Sequence, residues 1–207
     1  MKKNIIILSL LSASLMLSGR EAVDMGLSVK WADCNVGASL PGESGSLFAW
    51  GATATAPYFD WAYYPLCEGY YNALTKYNSD PKLGKTDGLT VLRPEDDAAT
   101  AQWGDGWRIP TDAEWKELMK NCDWKMGKRD GESGYVVTSP KTGNSIFLPF
   151  AAAKSGGEIR AGMGRYWSST LSDSSGWCAL SAAIYKERIE RPLTGRYLGC
   201  AVRPVKK

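Results

Sequence analysis

Residues 93–122, RPEDDAATAQWGDGWRIPTDAEWKELMKNC, decide how this chain folds, because they join two helix starts through a tight turn. Pro94 tolerates the first turn of a helix, and the acidic residues after it complement the positive end of the helix dipole. Thr111 and Glu114 have the spacing of a capping box, in which each side chain accepts a hydrogen bond from the other's backbone amide. We therefore expect one helix to begin at Pro94 and another just after Thr111.

The turn between these helices is WGDGW, residues 103–107, in which glycine permits a tight bend between two large rings. Glu95, Asp96 and Asp97, together with Asp105, offer oxygen ligands of the kind that calcium takes. A helix start already gives the first three a sufficient structural role. The sequence therefore predicts no metal site here.

Short apolar runs and turn residues fill the rest of the chain. The predicted helices are 94–103 and 112–121, the predicted loops are 53–88 and 151–164, and the predicted strands are 27–31, 48–50, 135–138, 145–149, 166–168, 178–185 and 199–204. The expected fold class is α+β, with two helices packed on short, mostly antiparallel strands and with long irregular loops.

Further motifs lie along the chain: EAVDMGLSVKW (21–31), CNVGA (34–38), FAWG (48–51), LTKY (74–77), GNSIFLP (143–149), YWSS (166–169) and AVRPV (201–205). Together with residues 93–122, they make the chain resemble the Fibrobacter major paralogous domain family, common in surface proteins of Bacteroidetes. The resemblance implies a C-type-lectin-like fold, related to the formylglycine-generating-enzyme branch. The chain is also similar to the variable proteins of diversity-generating retroelements, in which a C-terminal lectin-like segment carries a hypermutated ligand-binding face.

Residues 1–19 have the features of a signal peptide. Lys2 and Lys3 precede an apolar run that begins at Ile5 and is short for a membrane span. The end of the leader resembles a lipoprotein cleavage signal, but Arg20 replaces the cysteine that would be acylated. We expect export, leave the lipid anchor open, and assign residues 20–207 to a single domain of C-type-lectin-like fold.

The charge and the missing histidines exclude several function classes. A formal net charge of +3 gives no electrostatic footprint for nucleic acid. We expect contact with a membrane only through the leader or a lipid anchor. The chain contains no histidine, which removes Ser-His-Asp and Cys-His systems and most transition-metal sites. The calcium-binding triplets of sugar-binding C-type lectins are also missing. We predict no enzymatic activity and no cofactor.

Five cysteines leave at least one unpaired within a single chain, and none form a CxxC pair. The favoured interpretation is that they are buried small apolar residues. Cys178 and Cys200 are the first pair to test for a disulfide, since both fall in the C-terminal sheet region. The formylglycine-generating relatives use a closely spaced pair of active-site cysteines that bind copper, and that motif does not carry over.

Nine tryptophans and ten tyrosines are either core side chains or platforms on which a ligand stacks. The tryptophans in the family-like motifs, which we expect in the core, are Trp31, Trp50, Trp103, Trp107, Trp115 and Trp167. The aromatic residues between Tyr58 and Tyr71, and Trp177, are under less constraint. We expect these to be more exposed.

The C-terminal segment is the predicted ligand-binding face. Leu180, Ala182 and Ile184 alternate with other residues, so one set should pack inward while the other faces outward. A charged turn and an arginine-tyrosine pair follow. The predicted contact residues are Trp177, Ala179, Ser181, Ala183, Tyr185, Lys186, Glu187, Arg188, Glu190, Arg191, Arg196 and Tyr197. An ordinary solvated edge remains the alternative interpretation.

These observations predict an exported or surface-displayed protein that binds an unknown protein or glycan ligand on a rigid scaffold. A retroelement-diversified receptor is one form of this hypothesis. A structural or adhesin subunit of a surface assembly is the alternative, and an oxidase of the formylglycine-generating type is less favoured.

Overall fold

A computed structural model describes residues 20–104 and 106–207 of the chain. The predicted signal peptide, residues 1–19, and the calcium candidate Asp105 lie outside the described residues. Within the part that is described, no helix combines the length and the apolar character that a membrane crossing needs.

The described residues form an α+β fold of short elements, as the sequence predicts. The helices are α1 (Ala98–Trp103) and α2 (Asp112–Asn121), with 3-10 turns at Pro81–Leu83 and Pro94–Asp96. The strands are β1 (Ala22–Val23), β2 (Lys30–Ala32), β3 (Leu47–Phe48), β4 (Asp123–Arg129), β5 (Glu132–Thr138), β6 (Ser145–Pro149), β7 (Ala153–Ser155), β8 (Glu158–Arg160), β9 (Gly164–Leu171), β10 (Cys178–Ile184), β11 (Ile189–Glu190), β12 (Leu193–Gly195), β13 (Cys200–Ala201) and β14 (Val205–Lys206).

The second predicted helix is confirmed with its cap. The Glu114 amide donates to the Thr111 hydroxyl at 3.2 Å, and the Thr111 amide donates to the Glu114 carboxylate at 2.8 Å. The first predicted helix is interrupted at Asp97, which has an extended backbone and caps α1 by accepting from the Thr100 amide. Its second carboxylate oxygen accepts from the Ile109 amide at 2.8 Å, so Asp97 also fixes the turn after α1.

The largest sheet has the strand order β11-β10-β9-β13-β3, with β12 also paired to β10. The β13–β9 pair is parallel, and the other pairs of this sheet are antiparallel. Smaller sheets have the orders β1-β2-β14, β4-β5-β6 and β7-β8. The β7-β8 hairpin lies within residues 151–164, so the predicted loop there is wrong. Two of the glycines that suggested a loop, Gly156 and Gly157, instead allow the hairpin to approach the Tyr58 ring. A Cβ atom added at these positions would lie 3.4 and 3.2 Å from that ring.

The predicted core tryptophans are all buried. Trp31 and Trp115 meet edge to face with ring centroids 4.8 Å apart. Trp50 and Trp167 donate their indole N–H groups to the carbonyls of Ser168 and Phe48, at 2.9 and 2.6 Å. These bonds satisfy polar groups that burial would otherwise leave without water, and they join the loop after β3 to β9.

Candidate functional site

Four residues of the predicted face do not reach the surface. Ala179, Ser181 and Ala183 on β10 and Arg196 after β12 are each at most 2% exposed, so their assignment as outward-facing contact residues is wrong. β10 lies inside the sheet between β9 and the paired β11 and β12. Its residues join two different core clusters, and a register shift between Ala179 and Ser181 breaks the simple in-and-out alternation.

The charged turn after β10 is exposed, as predicted. Lys186, Glu187 and Arg188 all reach solvent. The Arg188 guanidinium lies 4.2 Å from the centroid of the Tyr185 ring and pairs with Glu190 at 2.6 Å. The turn is therefore preformed by its own side chains, and two of its proposed contact groups already have partners.

Arg191 also has a partner within the chain, because its guanidinium pairs with the Asp112 carboxylate on α2 at 2.5 Å. This contact joins the segment after β11 to the start of the helix, where a carboxylate complements the helix dipole. Arg191 therefore acts as a structural link between the sheet and α2.

Arg196 is a buried structural cation. Its guanidinium donates hydrogen bonds to the Tyr64 hydroxyl and to three carbonyls, those of Lys76, Tyr77 and Gly176. It also lies 4.9 Å from the centroid of the Trp50 ring. A buried guanidinium needs many acceptors, and Arg196 finds them in three separate segments of the chain. The residue thus fixes the backbone just before Trp177.

Trp177 and Tyr197, the remaining residues of the predicted face, lie with the aromatic loop of residues 53–71. Trp177 is 44% exposed, and the Tyr197 ring packs against Trp61 with centroids 5.1 Å apart. We call this surface the aromatic face; its members are Tyr58, Trp61, Tyr63, Tyr71, Trp177 and Tyr197. The expected exposure of Trp177 and of the loop tyrosines Tyr58, Tyr63, Tyr70 and Tyr71 is confirmed. For Phe59 and Tyr64 it is wrong, since both are only 3% exposed and pack into the core beneath the loop.

Buried side chains hold the aromatic loop in place. The Tyr64 hydroxyl donates to the Trp50 carbonyl at 2.8 Å, and Phe59 bridges Gly156 in the β7-β8 hairpin. The Cys67 thiol lies 3.1 Å from the Trp61 carbonyl. These contacts connect the loop to the sheet and to the hairpin, so exposed rings stand on a fixed backbone.

The aromatic face contains two adjoining depressions. The first, here called the acidic cleft, has a volume of about 360 Å³. Tyr58, Tyr63 and Tyr197 line it together with the carboxylates of Asp60 and Glu95.

The second depression, here called the tryptophan groove, is lined by Trp61, Tyr71 and Trp177 and has a volume of about 320 Å³. Because Tyr197 of the acidic cleft packs on Trp61 of the tryptophan groove, the two depressions share a wall. Together they form one extended surface of rings and polar tips.

One ammonium lies beside the acidic cleft and is shared by two of its carboxylates. The Lys76 ammonium contacts Glu95 at 3.3 Å and also contacts Asp96, which accepts a hydrogen bond from the Tyr77 hydroxyl. The hydrogen bond with Asp96 raises the pKa of Lys76, so this ammonium stays charged. Burial raises the pKa of Tyr77 to about 12, which keeps its hydroxyl protonated as a donor. This ion cluster forms a fixed polar wall beside the cleft.

The five cysteines are free thiols in the structure, four of them buried. Cys178 lies on β10 and Cys200 on β13, with β9 between them. Two strand spacings amount to about 10 Å, beyond the roughly 7 Å between Cα atoms that a disulfide permits, so the hypothesis of a Cys178–Cys200 pair is wrong. Burial raises the pKa of Cys200 to about 12. The favoured interpretation of the cysteines as buried apolar residues is confirmed for all but the half-buried Cys67.

Within residues 20–104 and 106–207, no group of three or more histidine, cysteine or acidic side chains is arranged to hold a metal ion.

Sequence reasoning did not single out Trp61, Asp60 or Glu95 as contact residues. The available signal was the density of aromatic residues among prolines and glycines in the loop of residues 53–71.

Comparisons with protein-family models, with curated proteins and with solved structures found no match to this chain.

Proposed function

We propose that this protein is an exported or surface-displayed binding protein of C-type-lectin-like fold, whose protein or glycan ligand contacts the aromatic face. The proposal of export rests on the leader-like residues 1–19, and that of the fold on the motif resemblance. The long loop region between β3 and α1, held by its own buried side chains, supports the lectin-like assignment. The proposal includes no chemical transformation of the ligand.

The observation that carries the binding function is the cluster of exposed rings on a rigid frame. Tyr63 is 62% exposed and Tyr71 is 54% exposed, and both lie beside concave surfaces rather than on flat ones. Large apolar side chains in contact with water cost free energy that a ligand recovers by covering them. Tyrosine and tryptophan lose little conformational freedom on binding, so such groups are frequent among the residues that dominate binding energy.

The scaffold supplies the rigidity. Arg196 connects the backbone of Lys76, Tyr77 and Gly176, and Tyr64 joins the aromatic loop to Trp50. A preorganised surface avoids the entropic cost of ordering loops on binding. The binding mechanism is therefore a fixed display of rings and hydrogen-bonding tips.

The test compares two double variants. Trp177→Ala with Tyr71→Ala removes two walls of the tryptophan groove, and Tyr185→Ala with Arg188→Ala removes the stacked pair of the charged turn. Each protein is tested on a glycan array and on a phage-displayed random peptide library. We expect the first variant to lose wild-type binding at least about tenfold, since each lost ring contact costs roughly 1 kcal/mol or more, and the second to retain it.

Circular dichroism and thermal melting of both variants control for folding. If only the charged-turn variant loses binding, the ligand contacts the C-terminal turn and not the aromatic face. A folded wild-type protein that binds no member of either panel would contradict the binding function.

A further inference from the structure

We propose that the ligand of the aromatic face is a neutral oligosaccharide chain that lies across the acidic cleft and the tryptophan groove. This inference rests on the proposed function and names the chemical class of the ligand. The charge balance of the cleft, the arrangement of its rings and the elements that form its walls favour such a ligand.

The charge balance disfavours an anionic ligand. Glu95 and Asp96 already share the Lys76 ammonium. Arg196, behind the cleft, has its donors occupied by the Tyr64 hydroxyl and backbone carbonyls. The Lys154 ammonium donates to the Pro57 carbonyl at 3.0 Å. An anionic ligand would be repelled by the carboxylates of Asp60, Glu95 and Asp96, whereas a neutral ligand would not.

The rings and carboxylates match the two kinds of surface that a sugar presents. A pyranose ring has C–H groups on its faces, which pack against aromatic rings, and hydroxyl groups around its rim. Tyr58 and Tyr63 are both exposed at the cleft, with centroids 6.0 Å apart and planes inclined at 52°. The two rings are inclined to each other and not stacked face to face, so their faces remain open to a ligand. Asp60 and Glu95 place carboxylate oxygens in the same cleft as acceptors for hydroxyl groups.

The two depressions determine the length of the ligand. The contact between Trp61 and Tyr197 separates the acidic cleft from the tryptophan groove. A single sugar ring occupies one depression, and a chain of several sugars occupies both. Affinity should therefore increase with chain length until both depressions are filled.

The walls do not offer what an extended peptide uses. Peptides that bind in extended form add a strand to an exposed sheet edge through backbone hydrogen bonds. The residues that line the two depressions belong to loops and to the 3-10 turn Pro94–Asp96, and none lies in a strand. Recognition through side-chain rings and carboxylates favours a saccharide.

The experiment titrates the wild-type protein with neutral tetrasaccharides of glucose, mannose and N-acetylglucosamine, with the matching disaccharides, and with tetragalacturonate as a charged control. Calorimetry gives the affinity, and tryptophan fluorescence reports contact with the exposed Trp177. We expect at least one neutral tetrasaccharide to bind at least about tenfold more tightly than its disaccharide. Binding should change less than about twofold between 50 and 500 mM NaCl, because a neutral ligand carries no charge to screen.

Three variants test where the saccharide chain contacts the protein surface. Trp177→Ala should remove the difference between tetrasaccharide and disaccharide, while Tyr63→Ala should weaken both, and Arg188→Ala in the charged turn should change neither. The inference is overturned if no neutral saccharide binds, if only tetragalacturonate binds, or if these variants leave saccharide affinity unchanged.

The failure of this inference can be separated from failure of the proposed function. If displayed peptides bind in a Trp177-dependent manner while no saccharide binds, the ligand class is wrong and the aromatic face remains the binding face. If neither class binds the folded wild-type protein, both proposals fail.

Discussion

Arg196 donates a hydrogen bond from Nε to the hydroxyl of Tyr64 at 2.9 Å, in the buried layer directly behind the aromatic face. The Tyr64 hydroxyl in turn donates a hydrogen bond to the Trp50 carbonyl. Burial raises the pKa of Tyr64, so the phenol stays neutral beside the guanidinium and acts as acceptor and donor at once. The exposed rings of the loop therefore stand on a polar network inside the protein.

Replacing Arg196 should destabilise the fold strongly. Arg196→Met fills much of the same volume but leaves the Tyr77 and Gly176 carbonyls without their donor. Each buried polar group left without a partner costs about 1–3 kcal/mol, so we expect a loss of roughly 3 kcal/mol or more in the free energy of unfolding. Urea denaturation measures this loss. Arg188→Met, at an exposed position, is the matched control and should change stability by less than about 0.5 kcal/mol.

Retention of stability in Arg196→Met would show that the buried hydrogen bonds contribute little. The same variant should also lose ligand affinity even in conditions where it stays folded, because Gly176 is no longer fixed beside Trp177.

The ion pair between Arg108 and Glu114, 2.5 Å apart in the first turn of α2, should make the stability of the fold depend on pH. Burial by itself would raise the pKa of Glu114, but the hydrogen bonds from Arg108 and the Thr111 amide outweigh it and lower the pKa below its usual value of 4.5. A group with a lowered folded-state pKa stabilises the protein above its unfolded-state pKa. That contribution disappears as the pH falls through the folded-state pKa.

Glu114→Gln should therefore be less stable than the wild type by about 1–2 kcal/mol at pH 7, and the difference should shrink as the pH falls below 4.5, the ordinary value for Glu114. Denaturation curves at a series of pH values measure it. Glu187→Gln, in the exposed charged turn, serves as the control with no such trend. A difference that stays constant down to pH 2 would contradict the role of the ion pair.

The thiols should be free and slow to react. Burial raises the pKa of Cys34 to about 11 and that of Cys200 to about 12, so the reactive thiolate is scarce at pH 8. In native protein, a disulfide reagent such as DTNB should modify the half-buried Cys67 first, and Cys67→Ser should remove that early phase. In denaturant without reductant, all five thiols of the chain should react. A lower count in denaturant would reveal a disulfide.

A close contact behind the acidic cleft makes Gly199 sensitive to substitution. A Cβ atom added to Gly199 would lie 2.7 Å from the Phe59 ring, a rigid group that also lines the cleft. Gly199→Ala should cost about 1–3 kcal/mol by overpacking and should reduce ligand affinity. Thermal melting and calorimetry measure the two effects.

Gly127→Ala is the matched control, since its Cβ would lie 3.3 Å from a single methyl group of Val136. It should leave stability and affinity nearly unchanged. Phe59→Leu in combination with Gly199→Ala should restore part of the lost stability. If Gly199→Ala changes neither stability nor affinity, the Phe59 ring can move aside to accommodate the added Cβ atom, which would contradict the prediction.

Local sequence signals predicted the helices well and the sheet less well. The Thr111–Glu114 capping box is encoded within four residues, so its geometry was readable from spacing alone. The interruption at Asp97 was missed, although its side chain caps α1 through the Thr100 amide only three residues on. Its second contact, with the Ile109 amide twelve residues on, could not be read from local spacing. β4 was missed because its charged sequence, DWKMGKR, lacks the apolar alternation of a half-buried strand.

The sequence by itself determined the α+β class, the tryptophan core and the exposure of four of the loop tyrosines, since these follow from local spacing, ring size and turn residues. Only the tertiary structure decided which part of the C-terminal segment reaches solvent. Ser181 is buried because other strands flank β10, and Arg196 because distant carbonyls surround it. Trp177 and Trp61 are far apart in the chain and line one groove. Such contacts depend on how strands pair across the whole chain, and no local pattern of residues encodes that pairing.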